Sequence, residues 1–302
     1  MEISNLINLQ GMLFLLVAVG VVLRKANILP KQGTVILTDL VIYLVLPCNI
    51  IHSFFIKFNF DVLKNFLIIL LISCFIQFGC LLLSNTMYRK QKQGMKKVLQ
   101  YGTVCSNAGF MGNPIAEGVF GAPGLLLASI YLIPQRIVMW SAGISYFTES
   151  PDRKTVIKKV ITHPCIVAVY IGMVIMIFNL SLPLFLENTI KNISGCTTAL
   201  SMTLIGTILA EVNVKTIINK TVVYYAFIRL ILIPLLVLAG CRLFQVNSLI
   251  TGVSVLLAGM PAGSTTAILA AKYDGDSVFA TKCVVFTTLV SLLTIPIWCM
   301  VL

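Results

Sequence analysis

The chain has 302 residues, 58% of them hydrophobic and 11% charged, with a mean hydropathy of +0.99. Those values exclude a soluble globular domain and indicate an all-α polytopic membrane protein whose first partner is the lipid bilayer. The formal net charge of +12 does not indicate a nucleic-acid binder, because the basic residues fall in short clusters between apolar runs.

A spanning helix needs about 20 apolar residues. By that measure the sequence predicts ten spans, at residues 8–23, 33–56, 63–88, 97–117, 122–148, 160–178, 187–211, 219–243, 248–271 and 279–301. The opening stretch "MEISNLINLQGMLFLLVAVGVV" lacks a basic n-region, so it is read as an uncleaved first span and not as a signal peptide. Span 2 carries Asn49 shortly after Pro47, near its middle. That amide suits either a polar cavity wall or interhelical packing.

Span 4 contains "NAGFMGNPIAEG", residues 107–118, a run of helix breakers in an apolar setting. Freed backbone groups cost several kcal/mol each in hydrocarbon, so the break is either built for a ligand or buried as a packing kink. Gly109 is expected to close one half-helix in the left-handed conformation. Asn113 is expected to cap a second, with Pro114 at its first position. Span 5 holds Arg136 beside Gln135, and span 8 holds Arg229. Arg136 suits a substrate carboxylate or freed carbonyls equally, whereas Arg229 lies nearer the cytoplasmic side, within reach of snorkelling, and a structural role is favoured there. Span 9 repeats the pattern of span 4 in "LLAGMPAGSTTAILA", where Gly259 closes a half-helix and Pro261 opens the next. Two half-helix N-termini then meet near the midplane and form an anion site of backbone N–H groups. Ser106, Asn107, Asn113, Ser264, Thr265 and Thr266 supply side-chain partners.

Lys and Arg set the orientation. Sixteen lie after odd-numbered spans, and four (Lys57, Lys64, Lys191 and Arg242) lie on the other side. This predicts both termini outside the cytoplasm. Three proline echoes, Pro30 with Pro183, Pro114 with Pro261 and Pro134 with Pro296, are separated by about half the chain. With five spans per half, the halves are expected to insert as inverted repeats, the pattern of secondary transporters. The nine cysteines form no C-x-x-C and read as packing residues, and His52 and His163 form no metal pattern with them. No cofactor is expected.

"NAGFMGNP" followed by "MPAGSTTAILAAKYDGD" resembles the auxin efflux carrier family, which includes bacterial malate and malonate permeases. The resemblance covers essentially the whole chain. Its first motif falls on Asn107, Gly109, Phe110, Gly112 and Pro114. The second falls on Met260, Pro261 and Ala262, with Lys272, Tyr273 and Gly275 at its exit. It implies a scaffold of spans 1, 2, 6 and 7, a moving core of spans 3–5 and 8–10 with two crossing broken helices, and a homodimer formed through the scaffold. The short stretch 149–159 between the halves, 1–148 and 160–302, resembles a prokaryotic member in the cytoplasmic membrane.

The expected function is secondary transport of a small organic anion, with Asn49, Asn107, Asn113, Pro114, Arg136, Met260, Pro261, Ser264 and Thr265 at the site. The alternative is a sodium- or proton-coupled cation antiporter, or a bile-acid-type symporter of similar fold. The acids Asp39, Glu117 and Glu211 form no paired motif in either break, which argues against the antiporter. No catalytic constellation supports an enzyme.

Overall fold

The computed structural model describes residues 3–55, 59–143, 145–147, 153–210, 217–263, 265–272 and 275–302. Helix α1 (Ile3–Lys25) ends on Arg24 and Lys25, which complement the negative end of its dipole. Pro30 starts α2 (Lys31–Ser53), and a π-helical turn at Val41–Val45 widens that helix just before Pro47, which has no N–H to donate. Asn59 caps α3 (Phe60–Met87) by accepting from the Val62 N–H at 2.8 Å. Helix α4 (Gln93–Val104) stops in mid-chain, and α5 (Ala108–Val138) resumes three residues later. A kink divides α5 at Gly121, whose φ of +66° suits only glycine. That kink falls between predicted spans 4 and 5.

The second half begins with α6 (Arg153–Ile161), so the stretch expected to be a linker is largely helical. It continues with α7 (Pro164–Ile177) and α8 (Leu184–Leu209), the latter started by Pro183 and interrupted at Cys196. Asn219 caps α9 (Lys220–Leu243) by accepting from the Val222 N–H at 2.8 Å, and a π-helical turn at Ile228–Leu232 precedes Pro234. Helices α10 (Ser248–Ala258), α11 (Thr265–Lys272) and α12 (Ser277–Val301) complete the chain.

By length and composition, α2, α3, α5, α8, α9 and α12 can cross a membrane, and α7 and α10 are shorter apolar helices. Among the described residues the fold is therefore all-helical, with six to eight apolar spanning helices and no sheet. The prediction of ten comes from counting apolar runs, and two of those runs are broken into pieces too short to span. Exposed Leu15, Phe60, Phe75, Phe78 and Phe244 give the bundle an apolar outer surface suited to lipid.

Two contacts position the middle of the bundle. Helices α1 and α8 touch backbone to backbone at Gly20 and Gly206. Helices α3 and α5 are joined by the Ser73 hydroxyl, which donates to the Tyr131 carbonyl. Small residues permit such close approach where lipid removes the hydrophobic drive between helices.

Candidate functional site

The gap between α4 and α5 lies against the gap between α10 and α11. Ser106 and Ala262 form an isolated antiparallel bridge. The Asn107 N–H donates to the Pro261 carbonyl at 2.8 Å, and the Gly263 N–H donates to the Cys105 carbonyl at 3.0 Å. Each broken helix thus satisfies part of the other's freed backbone, as a low-dielectric interior requires.

Side chains from neighbouring helices hold this crossing. Gln135 of α5 donates from Nε2 to the Ser106 carbonyl at 2.8 Å and accepts from the Ser106 hydroxyl at 3.0 Å. Thr287 of α12 accepts from the Ala262 N–H at 3.2 Å. Tyr101 of α4 donates from its hydroxyl to Thr265 Oγ1 at 3.1 Å. Gln135→Leu should strip the partners from two buried groups of Ser106 and cost about 2–6 kcal/mol, at roughly 1–3 kcal/mol per orphaned group. Thermal denaturation of the purified variant measures that loss, and an unchanged transition would remove Gln135 from this role.

The break lies earlier than the sequence predicts. Gly109 sits within a π-helical turn, Ala108–Gly112, and not in the left-handed region. Asn113 is not a cap: its φ of −59° and ψ of −52° are helical, and Pro114 follows it inside α5. Pairing with residues 261–263 ends α4, so no left-handed glycine is needed, and α5 is already under way at Ala108. In the second break, Pro261 lies outside any helix and the described part of α11 starts at Thr265. Ser264 lies outside the described residues.

Asn107, Met260 and Pro261 come together at the crossing, with Thr265 at the start of α11. Asn107 also lines a narrow cavity of about 20 Å³ with Phe110, Leu204, Ile205, Val284 and Thr288, between the crossing, α8 and α12. That space holds one or two waters at about 10–15 Å³ each. Asn113 is fully buried, and neither polar atom of its side chain has a hydrogen-bond partner. Arg136 is buried as well, and its Nη1 has no hydrogen-bond partner. A Cβ added at Gly109 would lie 3.9 Å from Arg136 Nη2, so the guanidinium sits over the first turn of α5. One guanidinium nitrogen thus approaches the first turn of α5, where the helix dipole is positive.

One expectation is corrected and one is made specific. Asn49 packs between helices, its amide nitrogen donating to Glu117 Oε2 at 3.0 Å and to the Ser194 hydroxyl at 3.1 Å. Arg229 does not snorkel, being only 3% exposed. It lies one turn beyond Tyr225, whose hydroxyl packs against Gly102 of α4, so the side chain is directed into the bundle. Sequence reasoning missed Thr287 and Tyr101 as clamps, since Thr and Tyr inside apolar spans carry no local mark of a partner far along the chain.

The profile of the membrane transport protein family matches residues 11–156 and 152–299. The chain belongs to that family. It is a multi-pass membrane transporter, and membership implies a non-enzymatic function. An uncharacterized transporter of Methanothermobacter thermautotrophicus is 26% identical over 295 residues, 95% of both chains. An uncharacterized transporter of Methanocaldococcus jannaschii is 24% identical over 295 residues, 94% of both chains.

Proposed function

We propose that this transporter carries a small organic anion, a carboxylate of malate or malonate size, by alternating access. The observation that carries this reading is Arg136 poised over the first turn of α5 with Nη1 unpartnered. A buried cation beside a helix N-terminus is unfavourable alone and favourable with a carboxylate between them. Asn107 and the freed N–H groups of α5 supply further donors.

Several matched features support two inverted repeats and ten crossings. Pro30 and Pro183 both occupy helix starts, Asn59 and Asn219 both cap through the N–H three residues on, and α2 and α8 are both interrupted near their middles. In this reading α1, α2, α7 and α8 form the scaffold, through which two copies pair, and the crossing moves with the rest as an elevator-like core. The cavity of about 20 Å³ is too small for a carboxylate, so this conformation is closed and loading requires the core to shift against α8. The basic loops face the cytoplasm, with both termini outside.

The test is uptake of mono- and dicarboxylates by proteoliposomes. Arg136→Lys keeps the charge and loses the bidentate fork, so affinity should fall; Arg136→Gln should lower it further, and more for dianions than for monoanions. An unchanged dianion-to-monoanion ratio in folded variants would remove Arg136 from the site. Indifference to every carboxylate would remove the substrate class.

A further inference from the structure

Helix α3 meets α9, and the turn that follows it, at two points and parts from it in between. At one end the Asn247 amide nitrogen donates to Asn65 Oδ1 at 3.3 Å. At the other the Tyr224 hydroxyl donates to Met87 Sδ at 3.4 Å. Between these contacts lies a groove of about 570 Å³. Along α3 it runs from Ile68 to Leu83, about 22 Å at 1.5 Å per residue, and its other wall is formed by Ile233 to Val246. The lining is aliphatic and aromatic, with two glycines and two cysteine thiols and no charged side chain among the described residues. Leu71, Phe75 and Leu236 are exposed, so the groove opens sideways, while Cys80 and Cys241 at its back are buried. Gly79 and Gly240 line it from one wall each, and a Cβ added at either would have no neighbour within 4 Å. Glycine inside a helix costs about 1 kcal/mol relative to alanine, yet nothing in this chain crowds either position.

We propose that this groove holds an acyl chain of an anionic phospholipid. Apolar walls give water no partners, and an empty space of this size leaves its lining without dispersion contacts. A helix of a second copy does not fit, because a spanning helix runs the full ~30 Å of the hydrocarbon core and the two end contacts close the groove short of that. An acyl chain reaches about half the core, ~15 Å, and is contained within the groove.

Charge selects the headgroup. The Tyr224–Met87 contact brings the start of α9 beside the end of α3. Arg89 and Lys90 follow Met87, Lys220 lies one turn before Tyr224, and all three are exposed. Leu83, the last lining residue of α3, precedes Arg89 by about 9 Å of chain rise. A lipid phosphate can therefore sit among the basic residues while its chain enters the groove from the side. The opposite end attracts an anion less, since Asp61 in the first turn of α3 offsets part of the charge of Lys64 and Arg242. In the transport reading above, α3 and α9 both belong to the moving core, but lipid binding does not rest on that reading.

The experiment is native mass spectrometry of the purified transporter, washed free of endogenous lipid and titrated with phosphatidylglycerol or phosphatidylcholine. Wild type should retain a single phosphatidylglycerol per chain and bind it roughly tenfold or more tightly than phosphatidylcholine. Gly79→Phe and Gly240→Phe fill the groove from its two walls, and each should lose that lipid while remaining folded. Either one carries the test if the other does not fold. Lys90→Gln combined with Lys220→Gln should weaken phosphatidylglycerol binding by roughly 25-fold, at roughly fivefold per charge, and leave phosphatidylcholine unchanged. Lipid retained equally by wild type and both groove-filling variants would overturn the site. Equal affinity of wild type for the two lipids, or weakening by Lys64→Gln in place of the Lys90 and Lys220 pair, would overturn the headgroup assignment. Loss of a dimer in place of lipid in Gly79→Phe would give the groove to a second copy and overturn the proposal.

Discussion

Gly20→Leu and Gly206→Leu should each abolish the yield of folded transporter. A Cβ at Gly20 would overlap the Thr203 carbonyl oxygen, well inside van der Waals contact distance, and lie 2.9 Å from the Gly206 Cα. One at Gly206 would meet the Val17 carbonyl oxygen and lie 2.8 Å from the Gly20 Cα. The obstacles are backbone atoms of two helices, which cannot rotate aside as a side chain can. Overpacking relieved by side-chain movement costs about 1–3 kcal/mol, so each of these should cost about 3 kcal/mol or more. That is a large fraction of a total stability of about 5–15 kcal/mol, and it grows with each further methylene of the Leu side chain that finds no space. The control is Gly79→Leu in α3, where an added Cβ has no neighbour within 4 Å. Size-exclusion profiles of detergent extracts measure the outcome. Wild-type yield of both glycine variants would mean that α1 and α8 do not meet at these positions.

Asn113→Leu should give a protein at least as stable as wild type that does not transport. Both polar atoms of Asn113 are buried and unpartnered, an arrangement that costs about 1–3 kcal/mol per group. An apolar side chain of similar size removes that penalty. If Asn113 serves transport, gain in stability and loss of activity appear in the same variant. Thermal denaturation and uptake together decide the matter. Full transport would remove Asn113 from the site, and marked destabilisation would show that its amide is bonded after all.

Part of this fold is legible in the sequence. Composition indicates the membrane, and apolar run length marks the main helices. The helix starts at Pro30, Asn59, Pro183 and Asn219 depend only on residues acting on their own neighbours, yet counting apolar runs passes over them. The site was only half legible for a physical reason. The sequence locates the first break at Gly109 and Asn113 because glycine stops helices and Asn-Pro starts them. In the structure residues 261–263 stop α4 instead, and pairing between distant segments has no local signature. Asn49 shows the same limit: its position in span 2 is plain, but its bond to Glu117, 68 residues away, is not. Arg229 was misjudged because distance along a span says nothing of the face on which a side chain leaves.

The Ser106–Ala262 bridge also bears on how the protein is made. Ribosomes add roughly 5–20 residues per second, and the N-terminal part of a chain folds first. Ala262 lies 156 residues behind its partner, so the Cys105 carbonyl and Asn107 N–H wait roughly 8–31 s at that rate. During that interval they need other hydrogen-bond partners, whether water, the insertion machinery or a temporary helix running through the break. The first half therefore enters the bilayer as an unfinished object. Made alone it has nothing to complete it, whereas two halves made as separate chains in one cell can complete each other.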